Sequence, residues 1–331
     1  MRKITALSIC LCLVIFSFIA CGKKATTPEA GSATPDDMLT LLPMNAKGVF
    51  FVNVNQAMSI EAVDKVIKES KDYKKLEEFV TMTGVDPQKD IYYAAVAMTG
   101  DLGKKEEKGV AIINLKYDKE KIVTLMKEKI AEEEDVELEE AEYSGMTVYK
   151  IEGEGEEEMA FSFLDDSNIV AGSEDEVKTV IDIFQKKADN LFKNQALSDL
   201  LAKTNKDTLF WGALLIPTEA VDQATAENPM LSNLKDLKAA TMNFDYNNMN
   251  MIAEIKLMSA NAEKNEQIAK MLDGLKAMGG MMAAQKPEIG ELLNKIEITS
   301  SPEHVRVYAS LPQELLDKLK ESVPTEPESE L

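Results

Sequence analysis

The sequence is poor in the residues on which many enzymes and metal sites depend. Its 331 residues include three cysteines, one tryptophan and one histidine. A zinc site needs three or four histidine, cysteine or carboxylate ligands at fixed spacing, which histidine and cysteine cannot supply here. The sequence also has no Gly-x-Ser-x-Gly nucleophile turn and no glycine-rich phosphate loop. The lone His304 could serve as a general base but lacks a matching nucleophile, so we expect no catalytic residue, no metal and no cofactor.

One long uncharged apolar run lies at the N-terminus. Arg2 and Lys3 precede residues 4–20, which carry no charge, and the small residue Ala20 stands directly before Cys21. This arrangement is typical of a signal peptide, which we place at residues 1–20. A run of this length is also at the lower edge of what can span a bilayer, so an uncleaved anchor is the alternative.

The end of this run, Phe18-Ile19-Ala20-Cys21, resembles the lipobox of bacterial lipoproteins, with Phe18 in place of the usual leucine. The resemblance implies that Cys21 becomes the mature N-terminus and carries a diacylglyceryl thioether, which would attach the protein to a membrane. Gly22 follows, where an aspartate would be the inner-membrane signal of such proteins. By analogy we expect a cell-envelope protein on the outer membrane, facing the periplasm.

The charge balance is strongly acidic. The chain has 37 basic and 58 acidic residues and a formal net charge of −21. Such a surface repels nucleic acid, which we exclude as a partner. Loss of residues 1–20 would also remove Cys10 and Cys12, and lipid would occupy Cys21. The folded part would then have no disulfide and no thiolate chemistry.

The order of elements predicts an α+β fold with two lobes of antiparallel sheet and helices packed on one face of each. Each half reads as strand, helix, strand pair, helix, strand pair and helix, which indicates an internal duplication. A strand at residues 48–54, a helix opening at Ser59, a buried strand that contains Trp211, a hairpin turn at Asn247-Asn248 and a helix at residues 262–285 are among these elements. The predicted segments are a signal peptide (1–20), a flexible tether (21–40), an N-terminal lobe (41–190), a C-terminal lobe (191–322) and a disordered tail (323–331).

Part of the N-terminal half resembles an uncharacterised family of exported bacterial proteins that count as domains of unknown function. The resemblance is carried by a leucine-proline pair, a strand and a Gly-Asp-Pro turn. It implies no known activity. The residues concerned are Leu42, Pro43, residues 49–54, Gly84, Asp86, Pro87 and Asp90.

The two densest carboxylate runs are candidates for calcium binding. They lie at residues 132–135 and 153–158. Neither has the alternating ligands, central glycine and terminal glutamate of a calcium loop. We expect solvated loops there, with weak and diffuse cation binding as the alternative.

Methionine is unusually frequent, with 18 residues. Several lie in the predicted helix at residues 262–285, where Met271, Leu275, Met278 and Met282 recur at helical spacing. Methionine side chains adapt to varied apolar partners, so these four residues are candidates for an apolar groove. Core packing is the alternative, and Cu(I) binding by thioethers is a third interpretation.

From these patterns we expect a non-enzymatic, lipid-anchored envelope protein with a binding or scaffold role, whose partner is a protein or an apolar ligand. The alternative is a carrier or chaperone for lipid or unfolded outer-membrane protein, with its ligand between the sheet and the methionine-rich helix. A hydrolase built from carboxylates and hydroxyls is a third hypothesis, which would require such groups to converge in a cleft.

Overall fold

The computed structural model describes residues 34–70, 73–100, 108–132, 136–153, 159–259, 261–283 and 286–322. The predicted signal peptide, Cys21 and the predicted tail at residues 323–331 lie outside these ranges. Inside them, no helix combines the length and the apolar character needed to cross a bilayer.

The strands in the described ranges form one antiparallel sheet of twelve strands. Their order across the sheet is β11-β12-β10-β9-β8-β1-β2-β3-β7-β6-β5-β4. The strands are β1 (Gly48–Asn53), β2 (Ile91–Met98), β3 (Gly109–Leu115), β4 (Val136–Tyr143), β5 (Met146–Gly153), β6 (Met159–Phe163), β7 (Asn168–Gly172), β8 (Phe210–Leu215), β9 (Leu237–Asn247), β10 (Asn250–Ser259), β11 (Ile296–Ser300) and β12 (Val305–Pro312).

The helices connect these strands and flank the sheet. Two short 3-10 helices accompany them, η1 (Leu191–Lys193) and η2 (Pro229–Asp236). The α-helices are α1 (Pro35–Leu39), α2 (Val54–Met58), α3 (Glu61–Glu69), α4 (Tyr73–Thr83), α5 (Lys119–Ala131), α6 (Glu174–Phe184), α7 (Gln195–Leu201), α8 (Thr218–Glu227), α9 (Ala262–Met282), α10 (Pro287–Asn294) and α11 (Gln313–Ser322).

The predicted helix start at Ser59 is wrong. Ser59 follows the last residue of α2, and its hydroxyl donates a hydrogen bond of 2.7 Å to the carbonyl oxygen of Gln56. The next helix, α3, has Ile60 at its N-cap, without a side-chain cap. A serine hydroxyl can satisfy backbone groups at either end of a helix, and here it bonds to the turn that precedes it.

The predicted hairpin turn is displaced by one residue. Asn247 pairs with Asn250, so the two turn residues are Asn248 and Met249, with φ values of 50° and 61°. A two-residue turn with positive φ at both positions matches the twist of the flanking strands. Asparagine accepts this conformation readily, whereas Met249 adopts it at a cost in strain.

The α+β class and the antiparallel sheet are confirmed. The expected placement of helices on one face only is wrong for the N-terminal half, where both faces carry helices. We call face A the side that carries Val49 and Phe51, and face B the side that carries Phe50 and Val52. Over the N-terminal strands, α1, α6, η1 and α7 cover face A and α2 to α5 cover face B. Over β10, β12 and β11 the helices α9, α10 and α11 pack on face B alone.

The two predicted lobes share the sheet. β1 pairs antiparallel with β8, and the order β1-β2-β3-β7-β6 on one side matches β8-β9-β10-β12-β11 on the other. The hairpin β4–β5 is an addition to the first half. The predicted lobe boundary, residues 186–206, supplies Leu191, Leu197 and Leu201 to the core of face A, where each is 0–1% exposed.

The N-terminal end of the fold begins before residue 41, inside the segment predicted as tether. Thr34 caps α1 by accepting a hydrogen bond from the backbone N–H of Asp37, and the Asp37 carboxylate accepts one from the backbone N–H of Thr34. This reciprocal pair is a capping box. Met38 and Leu39 are fully buried against face A, so residues 34–40 belong to the folded body.

The core of face A is closely packed. Phe51 and Trp211 lie on the adjacent strands β1 and β8, with ring centroids 5.1 Å apart in a stacked arrangement. Tyr93 on β2 lies 5.5 Å from Phe51. The predicted burial of Trp211 is confirmed, because this residue is 0% exposed.

Candidate apolar binding site

The apolar side chains of β10 on face B are only half-buried, although helices lie over that face. Every residue of β10 is half-buried. Two small buried clusters pack there, one around Ile268 and Val305 and one around Leu311 and Leu315. Ile255 lies on face B between them and belongs to neither cluster. This region therefore has a looser apolar interior than face A.

Aromatic side chains form a floor on face B in the middle of the sheet. Phe50, Phe210 and Phe244 lie on the adjacent strands β1, β8 and β9 and are half-buried. The ring centroids of Phe50 and Phe210 are 6.2 Å apart, and those of Phe210 and Phe244 are 5.5 Å apart. We call these three residues the aromatic floor. Neighbouring Met242 is half-buried on the same face.

Gly212 leaves room beside the sheet for the ring of Phe50 and the side chain of Met242. A Cβ atom at this position would lie 2.7 Å from Cδ1 of Phe50 and 3.1 Å from Cγ of Met242. Real Cβ atoms do not approach a ring that closely, so any larger residue would displace it. Gly212 therefore keeps a shallow apolar surface at the point where the two halves of the sheet meet.

Helix α9 is fixed to the sheet along one stripe. Ile268 is fully buried and Ala269 is 7% exposed. Asn265 is fully buried, and its amide donates a hydrogen bond of 3.1 Å to the carbonyl oxygen of Ser301 while its side-chain oxygen accepts one of 2.8 Å from the hydroxyl of Ser259. Leu272 packs on the same cluster as Ile268. These contacts hold the helix above β10, β12 and β11.

The predicted groove residues lie on a neighbouring flank of α9, about a quarter turn from the buried stripe. We call Met271, Leu275 and Met278 the methionine flank. Met271 and Leu275 are half-buried and Met278 is 46% exposed. Met282 ends the helix in register with them, and its side chain lies outside the described part of the structure.

The ion pair of Lys264 bears on the direction in which the methionine flank points. Lys264 lies on the same flank about two turns before Met271. Its Nζ atom is 3.1 Å from Oδ2 of Asp236 in η2. Because η2 leads directly into β9, this ion pair places the Lys264 side of α9 towards the start of β9. Leu272 contacts the buried cluster around Ile268, as the alternative of core packing expects for that residue.

Helix α11 bounds this region at the end near the β9–β10 turn. Leu315 is 1% exposed and packs with Leu311 of β12. Near the end of α11, Nζ of Lys320 lies 2.5 Å from Oε2 of Glu69 in α3, which joins the helical layers of the two halves. Burial raises the pKa of Tyr246 on β9, and the nearby carboxylate of Asp317 in α11 raises it further.

The one histidine lies away from this region. His304 precedes β12 and is half-buried, with Nδ1 3.4 Å from the hydroxyl of Ser301. Burial lowers its pKa, and the nearby ammonium group of Lys256 on face A lowers it further. Across the described ranges, no group of three or more histidine, cysteine, aspartate or glutamate residues could hold a metal ion. The carboxylates at 133–135 and 154–158 lie outside those ranges.

The aromatic floor was missed in the sequence, although a signal was present. Phe50 and Phe51 are adjacent in one strand, as are Phe210 and Trp211 in another. Adjacent strand residues point to opposite faces, so each pair places one aromatic ring on face A and one on face B. Two such pairs predict aromatic side chains on both sides of the sheet.

Comparisons with known proteins identify a family and several solved structures of low similarity. The family described as "Protein of unknown function (DUF3352)" matches residues 76–330. The crystal form III structure of TP0453 superposes with a TM-score of 0.48 and 10% identity, over 91% of this chain and all of that chain. Crystal form I of TP0453 gives a TM-score of 0.46 at 10% identity, over 90% of this chain and all of that chain. No curated protein matches.

Proposed function

We propose that this chain, which belongs to the family described as "Protein of unknown function (DUF3352)", is a lipid-anchored protein of the bacterial cell envelope that binds an apolar ligand and is not an enzyme. The observation that carries the proposal is the difference between the core of face A and the part of face B where the two halves of the sheet meet. Face A is sealed around Phe51 and Trp211, which are 0–1% exposed. On face B, the aromatic floor and the methionine flank remain half-buried or exposed.

The ligand chemistry follows from the residues on face B. The aromatic floor, Met242 and the methionine flank offer rings and thioethers without a charged group among them. Thioether side chains are flexible and polarisable and fit apolar partners of varied shape. A site of this kind suits an acyl chain or a similar elongated apolar molecule, whose burial is worth about 0.8 kcal/mol per methylene.

The attachment rests on the sequence motif at Cys21. Two acyl chains on this sulfur would hold the protein on the membrane, where a single chain gives only marginal binding. Residues 22–33 would separate the lipid from Thr34, which caps α1. This segment is rich in small and polar side chains, a composition typical of a linker. The absence of an aspartate after Cys21 supports placement on the outer membrane, facing the periplasm.

The attachment is tested with the substitution Cys21→Ser in the full chain. We expect the variant to leave the membrane fraction or to accumulate as an unprocessed precursor, because no sulfur remains to accept lipid. Mass spectrometry of the N-terminal peptide of the parent protein gives the second measurement. An intact Met1 with a bare Cys21 would contradict the lipid anchor.

The ligand is tested by extracting the native protein from membranes and identifying co-purifying small molecules by mass spectrometry. A fluorescent fatty acid provides a defined probe for the same site. The variant Leu275→Asp places a charge on the methionine flank, whereas Ala277→Asp places it on an exposed position of the same helix. We expect Leu275→Asp to weaken probe binding at least tenfold, with little change in Ala277→Asp.

Two results would contradict apolar binding. One is a protein that carries no apolar molecule from the membrane and does not bind the probe. The other is an equal loss of binding in both helix variants, since that would assign the effect to charge alone. Circular dichroism of both variants shows whether the fold is retained.

A further inference from the structure

Two exposed apolar side chains lie in neighbouring segments on face A. Met44 is 45% exposed and Phe192 is 41% exposed. Their segments are joined by a hydrogen bond of 2.8 Å from the backbone N–H of Leu191 to the carbonyl oxygen of Leu42. A second bond, of 3.2 Å, runs from the side-chain amide of Asn194 to the carbonyl oxygen of Met44.

The exposure of these two side chains is fixed by their buried neighbours. Leu42 and Leu191 are fully buried in the core of face A. The backbone N–H of Phe192 donates a bond of 3.2 Å to Oδ1 of Asn190, which holds the turn of η1. Phe192 therefore cannot turn inward without displacing Leu191 from the core.

The segment that carries Phe192 is locally basic in an acidic protein. Residues 186–193 contain three lysines and one aspartate, whereas the whole chain has a net charge of −21. Lys186, Lys187 and Lys193 are exposed. Because charges in water at physiological salt are screened beyond about 8 Å, nearby lysines outweigh distant carboxylates for anything that touches this surface.

The chain enters the fold on the same face. Helix α1 is the first described element, and Oδ1 of Asp36 in it lies 2.9 Å from Nζ of Lys206, just after α7. Residues 22–33 would span at most about 3.3–3.6 Å each when extended. A membrane attached through the N-terminal segment would therefore lie within reach of face A.

We propose that Met44, Phe192 and the lysines at positions 186, 187 and 193 form a docking surface for a bilayer with anionic headgroups. We call these five residues the face A patch. The two apolar side chains enter the boundary between headgroups and acyl chains, and the lysines contact the headgroups. Docking would hold the folded body against the membrane in one orientation, with face B turned away from it.

The inference needs only that the N-terminal segment attaches the chain, and it is independent of an apolar ligand on face B. It is tested in the full chain, reconstituted into vesicles of phosphatidylcholine with or without phosphatidylglycerol. Phe192→Cys carries an environment-sensitive fluorescent label. Met281→Cys is the matched control, since Met281 is 73% exposed and lies on α9 over face B.

We expect the label at position 192 to report an apolar environment in vesicles with phosphatidylglycerol, and the label at 281 to report water in both vesicles. Lys193→Gln in the Phe192→Cys background should lower the ratio of docked to undocked protein about fivefold, because one lysine near an anionic surface contributes a factor of that size. Added salt should also lower the ratio of docked to undocked protein.

Each remaining outcome has one meaning. Equal signals from the labels at 192 and 281 would overturn the proposal, and so would a signal at 192 that is the same without phosphatidylglycerol. A signal at 192 that depends on an added envelope protein would assign the face A patch to a protein partner instead. Labelling of the parent chain without an added cysteine would show a free thiol at Cys10, Cys12 or Cys21, which contradicts a processed and lipidated N-terminus. Docking is then read from the difference between each labelled variant and the labelled parent.

Discussion

Phe50 and Phe51 allow the packing of the two faces to be compared within one strand. They are adjacent in β1, and their side chains lie on opposite faces of the sheet. Phe51 is 1% exposed and stacks on Trp211, whereas Phe50 is half-buried in the aromatic floor. Replacement of each by alanine removes the same atoms from different surroundings.

The two alanine variants should lose different amounts of unfolding free energy, and the difference exceeds the error of the measurement. Phe51→Ala leaves a cavity in a closely packed core, and such a change costs about 3–5 kcal/mol of unfolding free energy. Phe50→Ala removes a side chain that water already reaches in part, beside Met242, whose flexible side chain can fill space. We expect about 1–2 kcal/mol for this variant, since little cavity energy is added to the transfer energy.

The assay is urea unfolding, followed by the fluorescence of Trp211, the one tryptophan, and by far-ultraviolet circular dichroism. An unchanged dependence on urea concentration shows that both variants unfold in the same manner as the parent. If Phe50→Ala costs as much as Phe51→Ala, face B is packed as tightly as face A. The proposal of an apolar site on face B would then be refuted.

Three further predictions concern the fold itself. Leu39→Ala should lower the unfolding free energy by about 2–5 kcal/mol because Leu39 is fully buried. A negligible change in urea unfolding would show that α1 belongs to the flexible tether and not to the folded body. Thr241→Val should stabilise the protein by about 1 kcal/mol, because within the described residues the buried hydroxyl of Thr241 has no hydrogen-bond partner; a lower unfolding midpoint would contradict this. Burial lowers the pKa of His304 below 6.5, so the stability that the neutral ring contributes is present above that pH and is lost as the pH falls through the folded-state pKa. His304→Gln should therefore flatten the decline in thermal midpoint from about pH 7 to about pH 5. An unchanged decline would refute this linkage.

Much of the fold could be predicted from local patterns. Alternating and continuous apolar runs locate strands such as β8 and β10, and helical spacing locates α9. The pattern also predicts that Met271, Leu275 and Met278 share one flank. It does not predict which flank is buried, because that depends on the neighbours that Asn265 and Lys264 contact in other elements.

The joining of two lobes into one sheet could not be predicted in the same way. The pairing of β1 with β8 connects residues that are distant in sequence, such as Phe51 and Trp211, and neither strand carries a local signal for its partner. Helix α1 was missed because its residues are mostly polar. The capping box formed by Thr34 and Asp37 was the signal that could have found it.

The aromatic floor shows a limit of a different kind. The frequency of methionine indicates α9 as a candidate for an apolar groove. Phe50 and Phe210, by contrast, appear in the sequence as ordinary members of apolar strands. Their partial exposure depends on where the helices of the two halves lie over face B. That placement is a tertiary property, and no periodicity within β1 or β8 contains it.

The antiparallel pair of β1 and β8 has a consequence for biogenesis. During synthesis, the first seven strands emerge before β8. Until β8 is available, β1 would be an unpaired edge strand with the apolar sequence GVFFV. Exposed edge strands of this composition pair with other chains and nucleate aggregates. A ribosome product that ends before residue 208 would therefore be prone to insolubility, and transfer across a membrane in an unfolded form would postpone assembly until both central strands can meet.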